Sequence, residues 1–173
     1  MKGKTSISKR RGFVAAAVGL GFLLAVGAAL ATPGVGILAA PVQARGTLGP
    51  TDGPNLVVNS KTGVHLKALG STGIVTQQIR MAPGGNTGWH SHPGPVIVTV
   101  KSGSIQLFYA SDTACQGVVY EAGDTFVDRG EENVHIARAS PFDGAELWAT
   151  YFVPGGDPNA AFRLDAPDPG TGC

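Results

Sequence analysis

Along the second half of the chain, apolar residues recur at every other position rather than every third or fourth. Leu147, Ala149, Tyr151 and Val153 share one face of an extended segment, and Val96, Val98 and Val100 share one face of another. Gly, Pro, Asp and Asn interrupt this alternation at short intervals. The pattern predicts strands near Asn55–Asn59, Gly73–Met81, Val96–Lys101, Ser104–Tyr109, Gly117–Glu121, Thr125–Asp128, Val134–Arg138 and Glu146–Val153. Lys101-Ser102-Gly103-Ser104 reads as a turn, with Gly103 free to take positive φ, and Gly123-Asp124 reads as another. No segment after position 44 combines a helical period with end caps. Short strands at this spacing predict an all-β sandwich or barrel.

The first 44 residues follow a different pattern. Lys2, Lys4, Lys9, Arg10 and Arg11 crowd the start, and no charged residue occurs from Gly12 through Ala44. Phe13 to Ala31 contains only Ala, Val, Leu, Gly and Phe. A basic start, an apolar run and then small residues are the layout of an export signal, with Val42-Gln43-Ala44 as a small-residue cleavage site. An uncleaved membrane tether through residues 12–31 is the competing reading, since the run approaches the ~20 residues needed to span a bilayer. Lys9-Arg10-Arg11-Gly12-Phe13-Val14 also resembles a twin-arginine signal, which would imply export after folding. The expected organisation is a signal peptide or anchor at 1–44, a linker at 45–54, a barrel domain at 55–153 and an irregular tail at 154–173.

Removing the first 44 residues reverses the charge balance. All twelve acidic residues but only eight of the thirteen basic ones lie beyond them, leaving a net −4. With no basic patch, nucleic acid is excluded as an expected partner. The remaining length suits one domain with its own core. Cys115 and Cys173 are the two cysteines, and an even count in an exported chain predicts a disulfide. The expected location is therefore extracytoplasmic, secreted or membrane-anchored.

Three of the four histidines form a pattern. His90 and His92 lie two apart, so one strand aims both imidazoles to the same side. His135, on a later strand, can bring a third. Three neutral nitrogen donors suit a divalent transition metal, and Fe, Mn, Ni, Cu and Zn all accept imidazole.

These residues resemble the cupin superfamily, specifically a single-domain, type-2-like member. Gly84, five residues, His90-Ser91-His92, then Val96 and Gly103 is similar to the first cupin motif. Gly123-Asp124-Thr125-Phe126-Val127, then Gly130 and His135, is similar to the second. The resemblance covers roughly Ile74 to Val153. It implies a small jelly-roll β-barrel with a metal in its mouth, and pairing into a homodimer. Four departures stand out. Val96 occupies the place of the first-motif Glu, and Asp128 that of the second-motif Pro. Four residues rather than two separate Gly130 from His135, and Ala139 replaces the usual Asn.

Without the motif carboxylate, three imidazoles leave a divalent ion its full +2 charge. Such a site favours an anionic, chelating small-molecule ligand and keeps open coordination positions. Glu131, Glu132, Gln78 and Gln106 read as solvated or structural side chains, with a substitute fourth ligand as the alternative. His65 lies outside both motifs and reads as an exposed or hydrogen-bonded side chain. Trp89 and Trp148 are expected in the core, with an apolar pocket wall as the alternative. No general base is obvious, Glu131, Glu132 and Tyr109 being the nearest candidates. The leading functional reading is a metal-dependent oxygenase acting on a small chelating substrate. The alternatives are a non-catalytic metal- or ligand-binding module, and an interaction barrel without metal.

Overall fold

The computed structural model describes residues 31–49 and 55–173. The basic start, the twin-arginine-like run and the 12–31 apolar stretch up to residue 30 lie outside the described residues. Within them the architecture is all-β: β1 (Val35–Ala39), β2 (Val42–Leu48), β3 (Asn55–Asn59), β4 (His65–Leu69), β5 (Thr72–Asn86), β6 (His90–His92), β7 (Val96–Tyr109), β8 (Val118–Glu121), β9 (Thr125–Asp128), β10 (Glu131–Ala139), β11 (Ala145–Pro154) and β12 (Leu164–Asp165). No helix among the described residues is long and apolar enough to cross a membrane.

β3 and β4 pair only with each other, as a separate two-stranded sheet at the start of the expected 55–153 barrel domain, and the other strands form a jelly-roll-like barrel of two leaves. In one leaf β5 pairs with β1 and β2 on one edge and with β11 on the other, and β11 pairs with the first half of β7, which is flanked by β9. In the other leaf the second half of β7 lies between β8 and β10, followed by β6 and β12. Every pairing is antiparallel. A further pair between Asn86 and Arg138 joins β5 to β10 and helps close the barrel.

Alternation explains the core. Val96, Val98 and Val100 from β7 and Leu147, Ala149, Tyr151 and Val153 from β11 are buried, as the two-residue period requires. They pack in one cluster with Ile105, Leu107, Ala137 and Ala139 from the opposite leaf. A second cluster gathers Trp89, Phe108, Ile136 and Ala166, with Cys115 and Cys173 against it. The two cysteines form the expected disulfide, tying the tail to the β7–β8 connection.

The structure departs from the sequence reading at three places. Lys101–Ser104 is not a turn between two strands. β7 continues through it and changes leaf at Gly103, whose φ is 69°. A Cβ there would meet the Gly144 carbonyl oxygen at 2.1 Å, so the corner requires glycine for both conformation and space.

The second departure concerns residues 35–48, assigned to the end of the export segment and the start of the linker. They form β1 and β2 on the edge of β5, and β2 runs through the Val42-Gln43-Ala44 site. Its apolar residues are sparse because an edge strand mostly faces solvent. The backbone ladder with β5 holds it there instead of side-chain burial.

Third, the tail at 154–173 is not wholly irregular. Leu164 and Asp165 pair with Ser91 and His90, making β12 a second neighbour for the histidine strand. β2 also holds the tail: Thr47 Oγ1 donates to Gly156 O at 2.9 Å, Arg45 donates to Pro158 O, and the Arg45 guanidinium lies 5.3 Å from the Phe162 ring centroid.

The Gly103 corner generates a stability prediction. Gly103→Ala should cost about 2–4 kcal/mol, because it adds a clash to an unfavourable backbone conformation. Gly46→Ala on β2, where a Cβ meets nothing within 4 Å, should be close to neutral. Urea unfolding of both variants measures the contrast.

Candidate metal centre

The three histidines meet because β6 and β10 are neighbours. His135 is the register partner of His90, and Glu131 that of His92. Four residues of β10 are thus laid against two of β6, and a bulge absorbs the excess. Glu131, at φ 59°, turns the chain at the start of this bulge. The long spacing between Gly130 and His135 therefore does not displace the imidazole. It is taken up before the strand reaches it.

All three rings are buried, at 5 to 6% exposure. Their centroids lie 4.4 Å (His90–His135), 4.9 Å (His90–His92) and 5.3 Å (His92–His135) apart. One nitrogen from each lies within 4.8 Å of the others, a spacing that can hold a metal ion.

Hydrogen bonding selects which nitrogens are available. His90 Nδ1 contacts Gly88 O at 2.9 Å, His92 Nδ1 contacts Phe162 O at 2.7 Å, and His135 Nδ1 contacts Asn133 O at 2.8 Å. A carbonyl only accepts, so each Nδ1 carries the proton and donates. Each Nε2 is then a lone-pair donor with no hydrogen-bond partner among the described residues. A carbonyl holding the far ring nitrogen is the usual support of a ligating histidine.

The rings are held neutral. Burial pushes the His92 pKa down to about 4, opposed by its bond to Phe162 O. Burial, reinforced by His135 and Arg163, pushes His90 well below its ordinary value. Burial also lowers His135, against the raising effects of Asn133 O and Asp128. Neutral imidazole is the form a metal binds. The residues present therefore fit a divalent transition ion.

Around the rings is a narrow space of about 40 Å³, lined also by Asp128, Thr87 and Tyr151. A wider cleft of about 330 Å³ reaches His90 and Tyr151 from outside. Its walls include Pro33, Gly34, Ile37 and Ala40 from the N-terminal segment, and Arg163 from the tail. Arg163 donates Nε to Asp165 at 2.6 Å and Nη2 to Thr87 O at 2.7 Å, leaving Nη1 without a partner among the described residues. Tyr151 OH donates to Gln77 at 2.8 Å, and Gln77 in turn donates to Ala40 O at 2.7 Å.

The other residues singled out from the sequence lie elsewhere or serve the fold. Glu131 and Glu132 are exposed in the bulge loop. Gln78 donates to Glu146 at 2.8 Å, and Gln106 donates to Gln116 O at 2.9 Å. His65 is exposed, bonded to Asn59 at 2.9 Å. Trp89 is core, whereas Trp148 is 36% exposed and donates to Glu146, so it walls no pocket. Tyr109 lies at the margin of the site, 6.0 Å from His135 between ring centroids and in contact with the Asn133 side chain.

Asp128, Tyr151, Arg163 and the 33–40 wall were not identified as site residues from the sequence. For Asp128 a signal existed, since a charged residue stood where the motif has proline. Arg163 carried none, because its place depends on β12.

No protein-family model matches this chain, and no curated protein matches it. Similar solved structures include an uncharacterised double-stranded β-helix protein from Klebsiella pneumoniae, at 20% identity over 69% of this chain and 85% of that one, TM-score 0.43. A cupin superfamily protein from Desulfitobacterium hafniense is similar at 9% identity over 67% and 84%, TM-score 0.41. A cupin-2 domain protein from Shewanella frigidimarina is similar at 18% identity over 46% and 70%, TM-score 0.38.

The buried neutral rings make the metal-free protein acid-sensitive. Unfolded histidines take up protons near pH 6.5, whereas folded His92 resists until about 4. Stability should be full above pH 6.5 and fall as pH drops through that window. His92 alone should account for on the order of 3 kcal/mol. Denaturant unfolding of chelator-treated protein across this range should show the loss, and His92→Gln should reduce it while His90 and His135 keep their share.

Proposed function

We propose that the protein is an exported metal-binding barrel. His90, His92 and His135 hold a divalent transition ion through Nε2, and the cleft admits a small anionic chelating ligand, with oxygenase chemistry on that ligand as its activity. The observation that carries this reading is the set of three Nδ1–carbonyl bonds, which aim three neutral Nε2 atoms into one space. A redox-active ion bound there supplies Lewis acidity and electrons for O₂ chemistry.

The chain's own residues set what reaches the ion. Arg163 offers its unpartnered Nη1 beside His90, suited to a carboxylate. Ile37 and Ile79 give the cleft an apolar side. Buried aromatic and aliphatic neighbours limit water around the rings.

One observation favours a binding module instead. Burial raises the Tyr151 pKa, and its hydroxyl is engaged with Gln77, so it is not poised to move a proton near neutrality. Turnover separates the two readings.

The Cys115–Cys173 bond supports an oxidising compartment. Cleavage after Ala44 would remove β1, part of β2 and the Pro33–Ala40 side of the cleft. A processing point or tether upstream of Thr32 keeps them. N-terminal sequencing of the exported protein should therefore find Thr32 or an earlier residue first; a start at Arg45 would contradict this boundary.

Protein purified without chelators or affinity metal should carry near-stoichiometric metal by elemental analysis. His92→Ala and His135→Ala should each abolish it. A wild type that binds none of Fe(II), Mn(II), Ni(II), Cu(II) or Zn(II) on reloading would defeat the metal reading. With metal loaded, Arg163→Gln should weaken oxalate, used as an anionic chelating probe, by about tenfold or more, as expected for loss of a charge-assisted hydrogen bond. Calorimetric titration measures it.

A further inference from the structure

The cleft that leads to the rings is lined by two charged side chains, Arg163 and Asp165, and they are bonded to each other. Asp165 Oδ1 accepts from Arg163 Nε at 2.6 Å, and Thr87 O accepts from Nη2 at 2.7 Å. Arg163 Nη1 is left for a ligand, so one carboxylate can be matched. A second carboxylate on the same ligand finds no further cation among the lining residues, and it meets the negative charge of Asp165.

The uncharged polar groups of the walls are already paired. Tyr151 OH donates to Gln77 at 2.8 Å, and Gln77 Nε2 donates to Ala40 O at 2.7 Å. Thr87 Oγ1 donates to Gly88 O at 3.1 Å and accepts from Ala137 N at 3.0 Å. A polar tail entering here gives up its water without gaining a partner. Apolar surface is what the walls still offer. Ile37 and Ile79 both line the cleft. Ile37 lies on β1 opposite Met81 of β5 and is 38% exposed, so it keeps apolar area for a ligand to cover. The volume of about 330 Å³ suits a small acid with a short tail.

We infer that the cleft selects monocarboxylates with an apolar tail, Arg163 taking the carboxylate and Ile37 and Ile79 the tail, and rejects acids with a second charge at the far end. This rests on the reading of the cleft as the ligand site and narrows the class of anion it takes. The selection has an attractive part, the apolar wall, and a repulsive part, Asp165. Ile37 is then a specificity-determining residue, supplied by a segment that precedes the expected barrel domain.

The test titrates three 2-oxo acids by calorimetry into protein loaded with Zn(II), which has no redox chemistry to consume them. Pyruvate carries the shared head group, 4-methyl-2-oxopentanoate adds a branched apolar tail, and 2-oxoglutarate adds a second carboxylate. The branched acid should bind about tenfold or more tightly than pyruvate, and 2-oxoglutarate no more tightly than pyruvate. Ile37→Ala should remove most of the preference for the branched acid. Ile37→Lys, which adds a cation to the wall, should reverse the order of the branched acid and 2-oxoglutarate. Arg163→Gln should weaken all three alike. Thermal unfolding of each variant confirms a folded barrel. The same titrations of chelator-treated protein separate the cleft from the metal: the tail preference should persist there. Equal affinity for the three acids, with an Arg163→Gln that weakens them, overturns this inference alone, as does a preference that Ile37→Ala leaves intact. No binding of any of the three, with or without Zn(II), overturns the ligand cleft and this inference with it.

Discussion

Three backbone carbonyls govern the chemistry of this barrel. Gly88 O, Phe162 O and Asn133 O each accept the Nδ1 proton of one buried imidazole, and that fixes tautomer and ring direction together. Without them, three histidines within 5.3 Å of each other would be a set of buried rings with no common direction. The carbonyls come from three parts of the chain: the approach to β6, the tail before β12, and the bulge of β10. The site therefore depends on the global fold being complete at all three.

That dependence explains why the strand carrying two histidines is so short yet so well held. β6 has three residues and offers little apolar area, but both of its edges are paired, to β10 and to β12. Thr32 and Ala166 brace its approach. Trp89 N bonds Thr32 Oγ1 at 2.7 Å, and Ala166 N bonds Trp89 O at 2.9 Å. The disulfide anchors the chain end beyond β12 against the same apolar cluster. Segments that look peripheral in sequence, residues 31–48 and 154–173, thus form the cage that holds the histidine strand. The same segments supply much of the cleft wall and its one arginine.

Electrostatics gives the site its polarity. Burial keeps the imidazoles neutral, so they act as donors of electron pairs. The buried acidic residue among them is Asp128, while Arg163 stands at the cleft. The acidic side chain lies inward and the basic one outward. This arrangement suits a cation in the interior and an anion arriving from the cleft.

The sequence alone determined what short-range physics controls. Two-residue alternation identified the inward faces of β7 and β11, because a strand's period does not depend on its partners. The His90-Ser91-His92 spacing placed two rings on one side for the same reason, and cysteine parity anticipated the disulfide. Only the tertiary structure decided what depends on pairing between distant segments. β1 continues the apolar run of the first 44 residues and β2 is an edge strand with few apolar side chains, so neither shows the alternation that marks a half-buried strand. His135 reaches His90 because a bulge absorbs the extra residues between them. Asp128 becomes a site residue because β9 ends beside the histidines, and Arg163 because β12 pairs with β6. A carboxylate or guanidinium looks like a surface group in one dimension. Its role is set by what the fold places around it, and no local pattern records that.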